Sequence, residues 1–304
     1  MHLSHREMTP TTPQVDEFLY HVLLWQTSLG SADISAHVGR DTSVLESRYV
    51  EFGPGRQVHA VIGGNGPAIV IFPGNGGSVA DFTDVCENLA QDHLVVGLDL
   101  PGRSETQWPD IRFDFAADLQ PVIDWSLSQL GVGIHVAVGH GSGALVALHH
   151  AQRHFGQVLG VSMVEGYVNL DAQNKTAAKK YRRPVQLAGE ALDAFESRRR
   201  DHAAWLNAHS TFRESFNATQ RAYDASDWIG ELDIPIHMIV GDQGQQLPNL
   251  SDDAGWHRQL NLSKIDELHI SLVKDAGYWV MLDDPTTVAD AMRQFVKRAH
   301  EAAK

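Results

Sequence analysis

The nine residues from Val136 to Ala144 constrain the fold more than any other stretch of this chain. They read Val-Ala-Val-Gly-His-Gly-Ser-Gly-Ala, a short apolar strand followed at once by a glycine-rich turn. The residues after the turn, over about 144–155, have the apolar spacing of a helix. Small residues on both sides of a sharp bend let a strand and a helix close onto each other around one strained residue. This stretch therefore predicts a strand–turn–helix elbow.

Predicted strands and helices alternate along most of the chain, which favours an α/β fold with a mostly parallel, doubly wound sheet. The carboxyl ends of parallel strands meet at one edge, so a functional site is expected there. A hairpin is predicted over 48–62, single strands over 68–72, 93–100, 136–140, 158–164, 235–240 and 269–273, and helices over 15–28, 79–91, 114–130, 144–155 and 288–302.

The elbow resembles that of the capped α/β-hydrolases, in which the pattern is usually Gly-His-Ser-x-Gly. In this register Gly141 takes the place of the nucleophilic serine, and the helix carries Ala151 and His154 at the offset common in the family. The next residue, Ser142, would supply a backbone N–H to the oxyanion hole. The resemblance implies that His140 packs beneath the elbow, while a role in proton transfer is a second interpretation.

A second resemblance lies in the loop after the predicted strand at 68–72. The residues Pro73-Gly74-Asn75-Gly76-Gly77 are similar to the loop that gives α/β-hydrolases their other oxyanion donor. This resemblance implies that the donor is the backbone N–H of Asn75. Gly74, Asn75, Gly76 and Gly141 are therefore candidate substrate-binding residues.

The other two members of a catalytic triad are also replaced at the matching positions. The family acid normally lies three residues after the glycine that ends the strand at 235–240, and that position holds Gly244. Asp242 comes too early in the loop, and Glu165, at the end of the preceding core strand, is an alternative acid. The family histidine matches Tyr278 within Gly-Tyr-Trp-Val-Met-Leu-Asp-Asp-Pro, and Trp279 is a candidate for substrate contact.

The resemblance also divides the chain. Residues 1–47 form an N-terminal extension with one helix, 48–165 and 234–304 form the core, and 166–233 form a helical cap inserted before the strand at 235–240. The cap carries two basic clusters, residues 179–183 and 198–200. A solvated helix face is the first interpretation of these clusters, and a grip on an anionic substrate is the second.

The composition of the chain limits the classes of partner and the cellular location that we expect. A formal net charge of −14 argues against nucleic acid or an anionic membrane as the main partner. No apolar run is long enough to span a membrane, and the first residues lack a signal-peptide core. The single cysteine, Cys86, excludes an internal disulfide and favours a cytoplasmic protein. We expect neither a metal site nor a cofactor, and the oligomeric state stays open, a homodimer included.

Three functions follow from Gly141, Gly244 and Tyr278 at the triad positions. The first is a non-hydrolytic enzyme for elimination, decarboxylation, cyclisation or aldol-type steps on a small carbonyl or ester metabolite, with His140 or Tyr278 moving protons. The second is a non-catalytic ligand- or partner-binding protein. The third is an unconventional hydrolase that uses Ser142 as its nucleophile.

Overall fold

The computed structural model describes residues 44–103, 105–170, 183–243, 265 and 268–304. The predicted helix at 15–28, the position of Gly244 and most of the first basic cluster lie outside these residues.

Eight strands form one sheet in the order β1-β2-β4-β3-β5-β6-β7-β8. The pairs β1/β2 and β2/β4 are antiparallel, and the other five pairs are parallel. This confirms the predicted mostly parallel sheet. The strands are β1 (Leu45–Gly53), β2 (Arg56–Gly63), β3 (Ala68–Phe72), β4 (Leu94–Asp99), β5 (His135–His140), β6 (Val158–Val164), β7 (Ile236–Gly241) and β8 (Leu268–Val273).

Seven α-helices accompany the sheet within the described residues. They are α1 (Thr83–Leu89), α2 (Leu119–Gln129), α3 (Gly143–Arg153), α4 (Gly189–Ala208), α5 (Ser210–Ala222), α6 (Val280–Asp283) and α7 (Pro285–Ala302). Short 3-10 turns cover Val79–Phe82 and Ile229–Glu231. None of these helices is long and apolar enough to cross a membrane.

Apolar side chains cover both faces of the central strands, which explains why those strands are continuous hydrophobic runs. In β3, Val70 and Phe72 belong to the core on one face, whereas Ile69 and Ile71 belong to the core on the other. Successive strand residues point to opposite faces, so a fully apolar strand must have cover on both sides. Cys86 lies in the second core, where burial raises the pKa of its thiol to about 12 and keeps it unreactive.

One predicted helix is shorter than expected. The pattern at 114–130 predicts a helix that begins near Asp114, but α2 begins at Leu119. The backbone N–H groups of Phe113 and Phe115 donate to Ser215 and Thr219 on α5, at 2.9 Å each. The segment before α2 is thus held by α5, and one helix-type bond remains in it, from the N–H of Asp118 to the carbonyl of Asp114 at 3.0 Å.

The helices α4 and α5 are inserted between β6 and β7, and we call them the inserted helices. Phe212 and Phe216 of α5 pack on Phe113, with ring centroids 5.2 and 6.2 Å apart. The loops after β3, β5, β6, β7 and β8 all leave the same edge of the sheet, since these strands are parallel. This edge holds the residues that the sequence singles out.

Candidate active site

The turn between β5 and α3 is an elbow, as predicted. Gly141 has φ +53, in the left-handed region that glycine adopts most readily, and its N–H donates to the carbonyl of Val164 at 2.9 Å. A Cβ on Gly139 would overlap the carbonyl of Gly143, and a Cβ on Gly143 would overlap the carbonyl of Phe72. Glycine at these two positions is therefore required by the close approach of strand and helix.

The Tyr278 side chain fills the space above Gly141. Tyr278 lies in the loop between β8 and α6, and a Cβ built on Gly141 would overlap its hydroxyl oxygen. Burial raises the pKa of Tyr278 well above its usual value, and the nearby Tyr167 and Glu165 raise it further, while Arg199 lowers it. The phenol therefore stays protonated at neutral pH and cannot serve as a base there.

His140 is held beneath the elbow as a neutral ring. Its Nε2 donates to the carbonyl of Tyr278 at 2.9 Å, so the lone pair is on Nδ1, which has no partner among the described residues. Burial lowers the pKa of His140 to about 4, the carbonyl of Tyr278 raises it, and the charge on Arg199 lowers it. The ring also contacts the Tyr278 and Trp279 rings, at centroid distances of 4.5 and 4.8 Å.

Ser142 is bonded to the loop that follows β3. Its Oγ accepts the backbone N–H of Asn75 at 2.7 Å. Burial raises the pKa of the neighbouring Tyr167, and a hydrogen bond with Ser142 acts in the opposite direction. No hydrogen bond joins the Ser142 hydroxyl to a histidine in the part of the chain that the structure describes. The two residues expected to supply oxyanion donors, Asn75 and Ser142, are thus in contact. The N–H of Asn75 is already bonded to the side chain of Ser142.

The loop at 73–77 is a tight turn that lies against the elbow. The N–H of Gly77 donates to the carbonyl of Gly74 at 3.0 Å, and Gly76 has φ +78. A Cβ on Gly74 would overlap the carbonyl of His140, so only glycine allows this approach. The three predicted loop residues Gly74, Asn75 and Gly76 therefore lie beside the elbow.

Side chains from two other parts of the chain fix the Asn75 side chain. Its Nδ2 donates to Oε1 of Gln220 on α5 at 2.7 Å. Its Oδ1 accepts Nη2 of Arg103 at 3.4 Å, and the same Nη2 donates to the carbonyl of Pro73 at 3.0 Å. Arg103 follows β4 and is only 5% exposed, and burial lowers the pKa of its guanidinium to about 10 while Asp99 raises it.

Arginines of α4 cover the site. Nη1 of Arg199 donates to the carbonyl of Gly76 at 3.2 Å, and its guanidinium lies 5.1 Å from the Trp279 ring centroid. Arg198 forms an ion pair with the buried Asp81 at 2.7 Å. Of the second basic cluster, Arg198 and Arg199 thus face the core, whereas Arg200 is largely exposed and lies 3.9 Å from Glu196.

Trp279, a predicted contact residue, is packed inside the protein. It is 2% exposed and meets the Phe195 ring of α4 edge to face, with centroids 4.9 Å apart.

A model of the family described as "Alpha/beta hydrolase family" matches residues 69–291, which is well over half of the chain. The chain belongs to the α/β-hydrolase family.

Several solved structures are similar in fold to this chain. A putative lipase from Acinetobacter baumannii has 15% identity and a TM-score of 0.68, covering 85% of this chain and 93% of that one. A serine hydrolase involved in carbazole degradation has 18% identity and a TM-score of 0.67, covering 84% and 99%. A thermophilic esterase from Thermogutta terrifontis has 16% identity and a TM-score of 0.63, covering 84% and 99%. At these identities the likeness shows the fold alone.

Glu165, the alternative acid of the sequence analysis, has a backbone partner in the structure. Glu165 follows β6 with φ +47, is fully buried, and its Oε1 accepts the N–H of Gly241 at 2.8 Å. Asp242 is exposed, with its N–H donating to the carbonyl of Val273 at 2.9 Å. The sequence signal for Glu165 was its place at the end of a buried strand.

Proposed function

We propose that this α/β-hydrolase-family protein binds a ligand at the elbow without forming an acyl-enzyme, and that it is non-catalytic. The observation that carries the absence of acyl-enzyme chemistry in this proposal is the Tyr278 hydroxyl, which a side chain on Gly141 would overlap. A nucleophile at that position would need this space, and a neutral, protonated phenol supplies neither attack nor a base.

The oxyanion donors support the same proposal. Stabilising an oxyanion requires N–H groups that are free to meet the developing charge. The N–H of Asn75 donates instead to Oγ of Ser142, inside the protein. An enzyme that polarises a carbonyl with both N–H groups would first have to break this bond. Arg199 of α4 also donates to the carbonyl of Gly76, which holds the loop at 73–77 in place.

The ligand in this proposal is a small carbonyl- or ester-type molecule, and the inserted helices act as a cap over it. A protonated phenol is a hydrogen-bond donor that a carbonyl oxygen accepts. The Arg199 guanidinium beside Gly76 and Trp279 supplies a positive charge at the same edge. A cytoplasmic location belongs to the proposal, and the single, buried Cys86 supports it.

A non-hydrolytic enzyme is the second candidate, and one observation favours it. The Tyr278 hydroxyl lies at the elbow and carries a proton that a substrate bound there could receive, and this position is the favourable observation, since the raised pKa makes the phenol a weaker acid than a free tyrosine. His140 is a weaker candidate for this role because its Nε2 proton is bonded to the carbonyl of Tyr278. The Ser142 hydrolase is less favoured, since its Oγ is bonded to Asn75 rather than to a histidine.

The test is labelling of the purified protein with a fluorophosphonate probe, with Ser142→Ala as a parallel sample and an active serine esterase as the positive control. We expect no labelling of either form of this protein. Labelling that disappears in Ser142→Ala would show an activated serine and overturn the proposal.

A second experiment separates binding from non-hydrolytic catalysis. Native mass spectrometry of the protein after incubation with a metabolite extract detects retained molecules, and Tyr278→Phe removes only the hydroxyl. We expect a retained molecule that is recovered unchanged and is held less tightly by the variant. Conversion of that molecule by the parent protein, and not by Tyr278→Phe, would replace the proposal with the enzymatic candidate.

A further inference from the structure

Two pairs of polar side chains face each other at the end of α3 that is far from the elbow. Gln120 and Asp124 lie one helical turn apart on α2, and His150 and His154 lie one turn apart at the end of α3. One ligand atom from each of Asp124, His150 and His154 lies within 4.8 Å of the other two. Two imidazoles and a carboxylate are a donor set that Zn²⁺ and related ions use.

Hydrogen bonds on the inner side fix which nitrogen of His150 carries a proton. Nδ1 of His135 donates to the carbonyl of Gly133 at 2.7 Å, so the lone pair of this neutral ring is on Nε2. That Nε2 lies 3.0 Å from Nε2 of His150, which must therefore be the donor. Burial lowers the pKa of both rings, with nearby histidines acting in the same direction, and both are neutral. The lone pair of His150 is consequently on Nδ1.

The Nδ1 lone pair of His150 points to a place that a second acceptor, Oδ1 of Asp124, also faces. Nε2 of Gln120 donates to Nδ1 of His150 at 2.8 Å and to Oδ1 of Asp124 at 2.6 Å. Nε2 of His154 lies 2.8 Å from the same Oδ1. The two acceptors, Nδ1 of His150 and Oδ1 of Asp124, thus both face the NH₂ group of Gln120, whose hydrogens carry partial positive charge. A position that favours positive charge in this way also suits a cation.

The Gln120 amide has an unused acceptor. Its Oε1 is buried and has no hydrogen-bond partner among the described residues. An amide of this kind is a nitrogen donor in one orientation and an oxygen acceptor in the other. Rotation of the amide by half a turn brings the oxygen to the point that its NH₂ group occupies now. Because Nδ1 of His150 and Oδ1 of Asp124 are both acceptors, the oxygen fits at this point only with a cation between the three atoms, and it is then one more ligand.

We propose that Asp124, His150 and His154 form a binding site for a divalent transition-metal ion, Zn²⁺ by its donor set, with Oε1 of Gln120 as the fourth ligand. His154 joins by moving its proton to Nδ1 and presenting the Nε2 lone pair. The bond from His150 to His135 and on to Gly133 is the outer hydrogen-bonded layer that orients ligand histidines in metal sites. The ion would tie α2 to the end of the helix that starts at the elbow.

A second Asp–His pair provides a matched control. Nδ1 of His93 lies 2.8 Å from Oδ1 of Asp92, the same separation as in the pair of His154 and Asp124. The two aspartate side chains are similarly exposed, at 48% and 42%. The pair of Asp92 and His93 is not part of any three-ligand cluster among the described residues. Asp92→Asn therefore changes a similar pair without touching the proposed site.

The experiment is calorimetric titration of Zn²⁺ into the full chain after treatment with a chelator and buffer exchange. We expect one ion per chain, and affinity lowered by roughly tenfold or more in His154→Ala and in Asp124→Asn, since each removes a ligand. Asp92→Asn should bind like the parent. Circular dichroism confirms that the variants, which change partly exposed side chains, are folded.

Co²⁺ gives an independent readout of geometry. Bound Co²⁺ should produce visible absorption bands typical of a low-coordinate site with imidazole ligands, and His154→Ala should abolish them. Absence of binding by the parent would overturn the proposal. Binding that is unchanged in His154→Ala and Asp124→Asn, or an equal loss in Asp92→Asn, would show adventitious ions only and would overturn it as well.

Discussion

The hydroxyl oxygen of Tyr278 lies so close to Gly141 that a Cβ on this glycine would overlap it. The two residues are 137 positions apart in the sequence, and the loop after β8 brings them together at the carboxyl edge of the sheet. Their contact limits the size of the side chain that position 141 can accept. This limit can be tested by measuring stability, without knowledge of any ligand.

The first prediction concerns space at the elbow. Gly141→Ala should lower the free energy of unfolding by about 1–3 kcal/mol more than Gly131→Ala, because the added methyl overlaps Tyr278. Gly131 is the matched control, since it also has a positive φ (+70) but nothing lies within 4 Å of its added Cβ. Urea denaturation measures both changes.

A double-mutant cycle makes that test specific to the hydroxyl. Tyr278→Phe removes the oxygen and keeps the ring, so it should recover part of the loss in Gly141→Ala, with a coupling of about 0.5–3 kcal/mol. Additive effects of the two substitutions would mean that the hydroxyl does not fill this space.

The second prediction concerns pH. The pKa of His140 is about 4 in the folded protein, against an ordinary value of 6.5. Between these two values the unfolded chain binds a proton that the folded protein does not, so stability falls as pH falls through this window and is fully present above 6.5. His140→Gln should lower the slope of unfolding free energy against pH by up to about 1.4 kcal/mol per pH unit.

Urea denaturation at several pH values between 4.5 and 7.5 measures the slope. Other buried histidines, among them His237 with a pKa lowered by burial to about 3, keep a slope in the variant. An unchanged slope in His140→Gln would mean that the ring is able to accept a proton in the folded protein.

The third prediction concerns Glu165. Glu165→Ala should destabilise the fold by about 1–3 kcal/mol, because the buried N–H of Gly241 loses its acceptor. Glu165→Gln keeps an oxygen at that position and should lose much less. Thermal or urea unfolding distinguishes them, and equal losses would assign the role to the charge rather than to the hydrogen bond.

The fourth prediction concerns Arg103. Arg103→Lys should lower the unfolding free energy by about 1–3 kcal/mol, because the shorter lysine side chain does not bring its nitrogen to the position of Nη2, which contacts both Pro73 and Asn75. Arg112 is exposed and lies, like Arg103, between β4 and α2, so Arg112→Lys should leave the unfolding free energy almost unchanged. An unchanged unfolding free energy in Arg103→Lys would show that the loop at 73–77 does not depend on the guanidinium.

Much of the fold could be predicted because buried parallel strands have a strong local signal. The strands at 68–72 and 158–164 were predicted with the observed bounds, since each is a fully buried apolar run. The start of α2 could not be predicted in this way. The backbone of Phe113 and Phe115 bonds to side chains about a hundred residues away, and no local pattern carries that information.

The sequence indicated which residues lie together at the elbow, but it did not indicate their hydrogen bonds. The residues around Tyr278 fixed its register, and the structure places it against Gly141. The bond from Asn75 N–H to Ser142 Oγ was not predicted, because the resemblance treats both residues as backbone donors to one point. The cluster of Asp124, His150 and His154 was also missed, although the spacing of the two histidines is visible in the sequence.

The glycines at 139 and 143 carry a consequence for how such chains are classified. Each is required because a carbonyl of the neighbouring backbone leaves no room for a methyl group. This requirement belongs to the junction of strand and helix, and it remains whatever side chain stands between them. The glycines around this bend therefore indicate the backbone architecture and not a catalytic activity. A chain can keep them whether or not it keeps the chemistry of its relatives.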